Sequence, residues 1–236
     1  MRSDAIEHPP YTHCMATTGG KKRSTAIPDQ PEHRGPAIVA VAAAVLLYLF
    51  LPASAIPVPR FILPVVATLL AIPLIALNPR HFTRQTAWSR WLSLTLGAIL
   101  VLFNQVEVVG ILVTLLNGKA HGPAVLLNAA QVWGTDIIAF GVVYWELDGR
   151  GPIARRLPHD PEARDFRFPQ EDTGKPTPWR SSFLDYLYFA LTNMMAFSPT
   201  DVMPLTIRAK ALMAVQSVTG FALLALVIAR AVNILA

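Results

Sequence analysis

Cysteine is almost missing from this chain: a lone Cys14 in 236 residues has no partner for an intrachain disulfide and leaves no cysteine-rich metal site. Charge is scarce as well, at 15% of residues against 53% hydrophobic. The apolar residues come in runs rather than at amphipathic spacing, which excludes a soluble catalytic domain and points to the bilayer. Neither His-Glu-x-x-His nor Gly-x-Ser-x-Gly occurs, so two common routes to hydrolysis are absent. The six histidines, His8, His13, His33, His81, His121 and His159, are scattered over tail and loops without ligand spacing. The expectation is a non-enzyme with no cofactor and no metal. The net charge of +5 sits in clusters of Lys and Arg in tail and loops, where it sets orientation and lipid contact rather than nucleic-acid binding.

What the sequence does contain is apolar runs of the ~20 residues needed to cross a hydrocarbon core. Residues 1–35 precede them. With Pro9, Pro10, Pro28, Pro31 and the cluster Lys21-Lys22-Arg23, they cannot bury enough surface to fold and are expected to be a disordered basic tail. Residues 36–147 read as a four-helix transmembrane region, with spans at about Pro36–Ile56, Phe61–Leu77, Trp91–Leu116 and Pro123–Trp145. Trp88 and Trp91 at one end and Tyr144-Trp145 at another suit the headgroup level. Residues 148–181 are polar, rich in both charge signs, and read as a cytoplasmic loop with at most short helical turns. Residues 182–236 read as a short helix from Phe183 to Phe197, a Pro-broken turn and a last span from Leu205 to Leu235. The short helix falls below the spanning length, so it is expected to be re-entrant or half-spanning. The fold class is all-α: a polytopic membrane protein with about five transmembrane helices plus that short helix before the last.

Lys and Arg are concentrated on one side of this topology. The tail holds Arg2, Lys21, Lys22, Arg23 and Arg34, the second loop Arg80, Arg84 and Arg90, and the long loop seven between Arg150 and Arg180. The first and third loops hold only Arg60 and Lys119. The positive-inside rule then places the N-terminus and the long loop in the cytoplasm and the protein in the cell membrane.

Polar residues inside the spans are expensive in lipid unless paired or facing water. Asn104 and Glu107 lie one turn apart in the third span. In the fourth, Asn128, Gln131 and Thr135 form a stripe with Asp136 beside it, so the two helices can present polar faces to each other. Two readings stay open: a protonated carboxyl hydrogen-bonded across the helix pair, or a proton or cation path with a water-filled cavity between the helices.

The C-terminal stretch reads Tyr188-Phe189-Ala190-Leu191-Thr192-Asn193-Met194-Met195-Ala196-Phe197-Ser198-Pro199-Thr200-Asp201-Val202-Met203-Pro204. It resembles the pore hairpin of two-transmembrane potassium channels, in which an aromatic pair opens the pore helix and Asp-x-x-Pro closes the filter. The resemblance implies an ion pathway at Ser198, Thr200 and Asp201 and an inner-helix hinge at Gly220, with monovalent cations and membrane lipids as partners. It also implies several copies of the chain around an axis, most simply four. Ser198 and Thr200 stand where that family has glycines, and Pro199 fixes φ and removes a donor, so a backbone carbonyl ladder is not expected here. A ring of side-chain oxygens with weak cation selectivity is. The same segment, together with Asp165-Phe166-Arg167-Phe168-Pro169, resembles uncharacterised bacterial multi-pass membrane proteins known only as a domain of unknown function. The alternatives are a non-conducting scaffold whose basic loop binds a partner, and a proton-coupled transporter using Glu107 and Asp136. A simpler account of Asp201 is that it opens the last helix near the positive end of its dipole.

Overall fold

The computed structural model describes residues 35–50, 65, 87–116, 124–152, 154–156, 163–172, 179–195 and 201–235. The expected basic tail, apart from Gly35, nearly all of the expected second span, Ser198 and Thr200 lie outside these residues. The described elements are α1 (Gly35–Phe50), α2 (Ala87–Leu116), α3 (Ala124–Leu147), α4 (Phe183–Met195) and α5 (Ile207–Leu235). Two short strands, β1 (Phe166–Arg167) and β2 (Met203–Pro204), form an antiparallel ribbon with Phe166 opposite Pro204 and Arg167 opposite Met203. Among the described residues three helices are long and apolar enough to cross a membrane, over Arg90–Thr114, Leu126–Arg150 and Ile207–Arg230, and Gly35–Leu49 is apolar but shorter.

α3 is the hub, since every other described α-helix packs against it. It runs antiparallel to α2, with Gly97 beside Val143, Asn104 beside Thr135 and Gln105 beside Asp136. Small residues set the closest approaches. A Cβ on Gly97 would lie 2.8 Å from Val143 Cγ2, and one on Gly141 would lie 3.3 Å from Leu187 Cα on α4. Between helices surrounded by lipid the apolar effect is weak, so such close approaches and interhelical hydrogen bonds are the forces left to hold them.

At its C-terminus α3 ends on Asp148-Gly149-Arg150-Gly151, where Gly149, Arg150 and Gly151 all have positive φ (57°, 64° and 105°). The Gly151 N–H donates to the Asp148 carbonyl at 2.9 Å and closes the helix. The polar stretch that follows, expected to be a loop, is folded wherever it is described. It contains 3₁₀ turns at Ala154–Arg156 and Pro169–Asp172 and the strand β1. Phe166 and Phe168 are buried with Arg167 exposed between them, the alternation of a strand. Phe166 packs edge-on against Tyr144 and Phe189, with ring centroids 5.2 and 5.0 Å away. Two phenylalanines at alternate positions are enough to dock a loop of otherwise polar composition.

α4 and α5 follow one another in the chain yet run parallel. Gln216 Nε2 donates to the Ala190 carbonyl at 3.0 Å, and one turn on Gly220 sits against the Met194 carbonyl, in the same register. The end of α4 is therefore level with Gly220, roughly 20 Å along α5 at the usual rise per residue. By Met203–Pro204 the chain is back beside β1 and the start of α5.

Gly149→Ala should test the α3 terminus. Its Cβ would run into the Arg155 side chain at a residue that must keep positive φ, a combination expected to cost about 1–3 kcal/mol. The Tm in detergent should fall clearly, whereas Gly134→Ala, which meets nothing within 4 Å, should leave it unchanged or raise it slightly.

Candidate functional site

Local sequence fixes where α4 begins. The Ser182 N–H donates to Asp185 Oδ2 at 2.7 Å and the Asp185 N–H donates to the Ser182 carbonyl at 3.0 Å, so the residue three positions in reaches back over the helix start. The Ser182 hydroxyl donates to the same carboxylate at 2.7 Å. One position further Tyr186 is fully buried, and its hydroxyl donates to Asp148 Oδ2 at 2.5 Å while lying 2.9 Å from Ser181 Oγ.

Asp148 holds more than α4. Its Oδ1 accepts the backbone N–H groups of Asp165 (2.8 Å) and Phe166 (3.1 Å). Arg155 Nη1 donates to the carbonyls of Trp145 (2.5 Å) and Asp148 (2.7 Å), and its guanidinium lies 4.9 Å from the centre of the Tyr186 ring. Asp165 repeats the pattern next door. It accepts both Arg208 Nε and Nη2 at 2.6 Å and the Thr206 hydroxyl at 2.5 Å, a bidentate ion pair at the first turn of α5. Thr206 Oγ1 in turn accepts the Ala209 N–H at 3.3 Å and caps α5. Two neighbouring buried carboxylates thus fix the starts of α4 and α5 to the end of α3. Burial pushes the Tyr186 phenol well above its ordinary pKa, with Arg155 pulling the other way and Asp148 adding to the rise.

Halfway along α5 the three helices meet again. Gln216 is fully buried, and its Oε1 accepts Tyr144 Oη (2.8 Å) from α3 and Asn193 Nδ2 (2.8 Å) from α4. Asn193 Nδ2 also donates to the Met213 carbonyl at 3.2 Å, and Ser217 Oγ donates to Asn193 Oδ1 at 3.0 Å. Gly220 completes this contact, because any side chain there would strike Met194.

A second polar layer lies between α1, α2, α3 and α5. Asn104 Oδ1 accepts the hydroxyls of Tyr48 from α1 and of Thr135 from α3, the latter at 3.0 Å. Gln105 spans the next gap, its Nε2 3.4 Å from Asp136 Oδ1 and its Oε1 accepting the Thr219 hydroxyl at 2.9 Å. Asn104, Glu107, Gln131 and Asp136 are buried, and Asn128 is half-buried.

The structure brings the two polar stripes of the sequence into direct contact, at Asn104 with Thr135. Of the proposed pathway residues only Asp201 is among those described. Asp201 is exposed just ahead of β2, Gly220 is buried level with the far end of α4, and Ser198 and Thr200 lie outside the described residues. Asp201 does not open α5 either: that helix starts at Ile207 with Thr206 as its cap, because Thr206 is the side chain that reaches an unpaired N–H of the first turn. Sequence reading passed over Asp148, Arg155, Tyr186 and Arg208 as site residues, and met Asp165 only within a resemblance. Two signals were available: Asp-Gly-Arg-Gly closing an apolar helix, and Ser-x-x-Asp opening an aromatic one. The chain matches no protein-family model, no curated protein and no solved structure.

Asp148→Asn would turn an amide N–H₂ toward groups that now donate to a carboxylate. A loss of about 1–3 kcal/mol is expected, read as a lower Tm together with faster proteolysis between Arg150 and Trp179. Tyr186→Phe should lower the Tm at neutral pH and also flatten its fall at alkaline pH. The sign follows from the raised phenol: in the unfolded chain tyrosine ionises near pH ~10 while folded Tyr186 keeps its proton, so stability drains away as pH rises beyond that point. Equal alkaline slopes in the two proteins would place the effect elsewhere.

Proposed function

We propose that this chain is one subunit of an oligomeric, weakly cation-selective pore in the cell membrane, with α4 and the return after it entering and leaving the bilayer on one face before α5 crosses it. The observation that carries this reading is the parallel run of two consecutive helices. A 13-residue helix is roughly 20 Å long and cannot cross a core of about 30 Å. α4 stops level with the middle of α5, and the chain then returns to the end from which α4 set out. In a pore-loop protein that return lines the ion path. Here it carries Ser198, Thr200 and Asp201, so ions would meet side-chain oxygens rather than a glycine-built carbonyl ladder. Asp201, exposed beside the ribbon, would concentrate cations at the mouth, and Gly220 would be the point at which α5 bends.

The Asp148 and Asp165 anchors favour the reading because they hold both ends of the hairpin at one level. One hairpin per chain requires several chains, most simply four. α5 leaves room for them: only 22% of its apolar window is buried inside the chain, against 50% and 61% for the other two long helices. The antiparallel pairing of α2 and α3 puts Arg90 and Arg150 at the same end, in keeping with a cytoplasmic N-terminus and long loop. The hairpin would then enter from the cytoplasm.

A second reading, a non-conducting scaffold whose basic loop binds a partner, draws on the burial of one face of α4 against α3 and α5 of its own chain. The transporter reading asks for water between α2 and α3, where the Thr135–Asn104 hydrogen bond makes direct contact.

Planar-bilayer recording of the purified protein, with native mass spectrometry of the same sample, separates these readings. A tetramer with cation currents is the expected result. Asp201→Asn should reduce the current, more so at low salt than at high salt, because a fixed charge at a wet mouth is screened by ions. An unchanged current would remove Asp201 from the pathway, and a strict monomer without conductance would leave the scaffold.

A further inference from the structure

Asp136 in the middle of α3 and Asp148 just past its last residue are both fully buried, in opposite surroundings. Asp148 receives three hydrogen bonds, two of them from backbone N–H groups, with Arg155 beside it. Asp136 receives one long contact, 3.4 Å from Gln105 Nε2 to Oδ1, and its Oδ2 has no partner among the described residues. An ionised carboxylate at the centre of a spanning helix is costly, and one poor donor does little to offset that.

We propose that Asp136 is a reversible proton-binding site in the core of α1, α2, α3 and α5. The surrounding chemistry favours a proton over a metal cation. The group aimed at Asp136 from α2 is an amide N–H, which repels a cation, and no cluster of three or more His, Cys, Asp or Glu side chains exists among the described residues. A proton on Oδ2 neutralises the carboxyl without requiring a coordination shell. Among the described residues, the titratable groups facing this region are Tyr48 from α1, Glu107 from α2 and Tyr144 on α3 itself. α5 contributes Thr219 and Gln216 and α4 contributes Asn193, none of which titrates. With no cation among them, nothing in this set holds Asp136 ionised.

Gln105 links the site to α5. Its amide joins Asp136 on α3 to Thr219 on α5, donating to the first and accepting from the second. An ionised Asp136 holds the Nε2 end more strongly than a protonated one, whose Oδ1 accepts as a neutral carbonyl, so the state of the carboxyl reaches α5 through one side chain. This site stands whether or not the chain conducts.

Infrared difference spectroscopy of the full-length protein in lipid nanodiscs, titrated from acid to alkaline pH, tests the proposal. The expected result is a protonated-carboxyl C=O band that disappears with rising pH, shifts on ¹³C-aspartate labelling, is missing in Asp136→Asn and persists in Glu107→Gln. The labelling assigns the band to aspartate in the unaltered protein and Asp136→Asn assigns it to this position, so a band that persists in a folded Asp136→Asn would overturn the proposal. A band that ignores aspartate labelling, or the absence of any such band, would overturn the proposal. A titration midpoint displaced by added sodium would overturn it in favour of a cation site.

Discussion

The structure depends on how the Asp148 carboxylate is satisfied. A buried carboxylate must collect donors or carry a large desolvation cost, and here they come from two places distant in sequence, the backbone of Asp165 and Phe166 and the hydroxyl of Tyr186, while Arg155 donates to the Asp148 backbone carbonyl. Satisfying that one group draws the post-α3 segment and the start of α4 onto the end of α3. Asp165, placed by those bonds, then takes Arg208 and Thr206 and fixes the start of α5. The order of consequence runs from one ionisable group to the arrangement of three helices.

That arrangement explains why a short helix is stable in this position. Thirteen residues are marginal as an isolated helix. α4 is capped by its own Ser182 and Asp185, and one face of it, carrying Phe183, Tyr186, Phe189, Ala190, Asn193 and Met194, is buried. The other face, with Leu184, Tyr188, Leu191 and Met195, is exposed. An apolar exposed face on a helix that starts at a polar cage suits a surface where lipid or further protein replaces water.

Two kinds of polar core coexist in the chain. Around Asp148 and Asp165 the network is charged and rich in backbone donors, which gives rigidity. Between α2, α3 and α5 it is built from amides and hydroxyls around two buried carboxyls, which leaves the balance of charge dependent on protons. The first kind locates the hairpin and the second lies where α5 passes the middle of α2, so the anchoring function and the responsive one occupy different depths of the same bundle.

Periodicity and composition pointed to the described helical segments and to three of the five expected spans; of the other two, the first is described only as the shorter helix Gly35–Phe50 and the second lies almost wholly outside the described residues. Ala87–Leu116 and Ala124–Leu147 fall within a few residues of their expected bounds because long apolar runs leave little ambiguity. The short helix before the last was legible for the same reason, as was the facing of Asn104 toward Thr135. Tertiary structure decided the rest. No local pattern says that Asp148 will find Tyr186 or that Asp165 will find Arg208, since those partners are separated by 38 and 43 residues and meet only when the chain folds back. The parallel setting of α4 and α5 was equally hidden, because helix direction depends on which faces pack, and so was the close contact of Gly220 with Met194. Local sequence specifies local geometry, and the satisfaction of buried charge specifies what is brought to what.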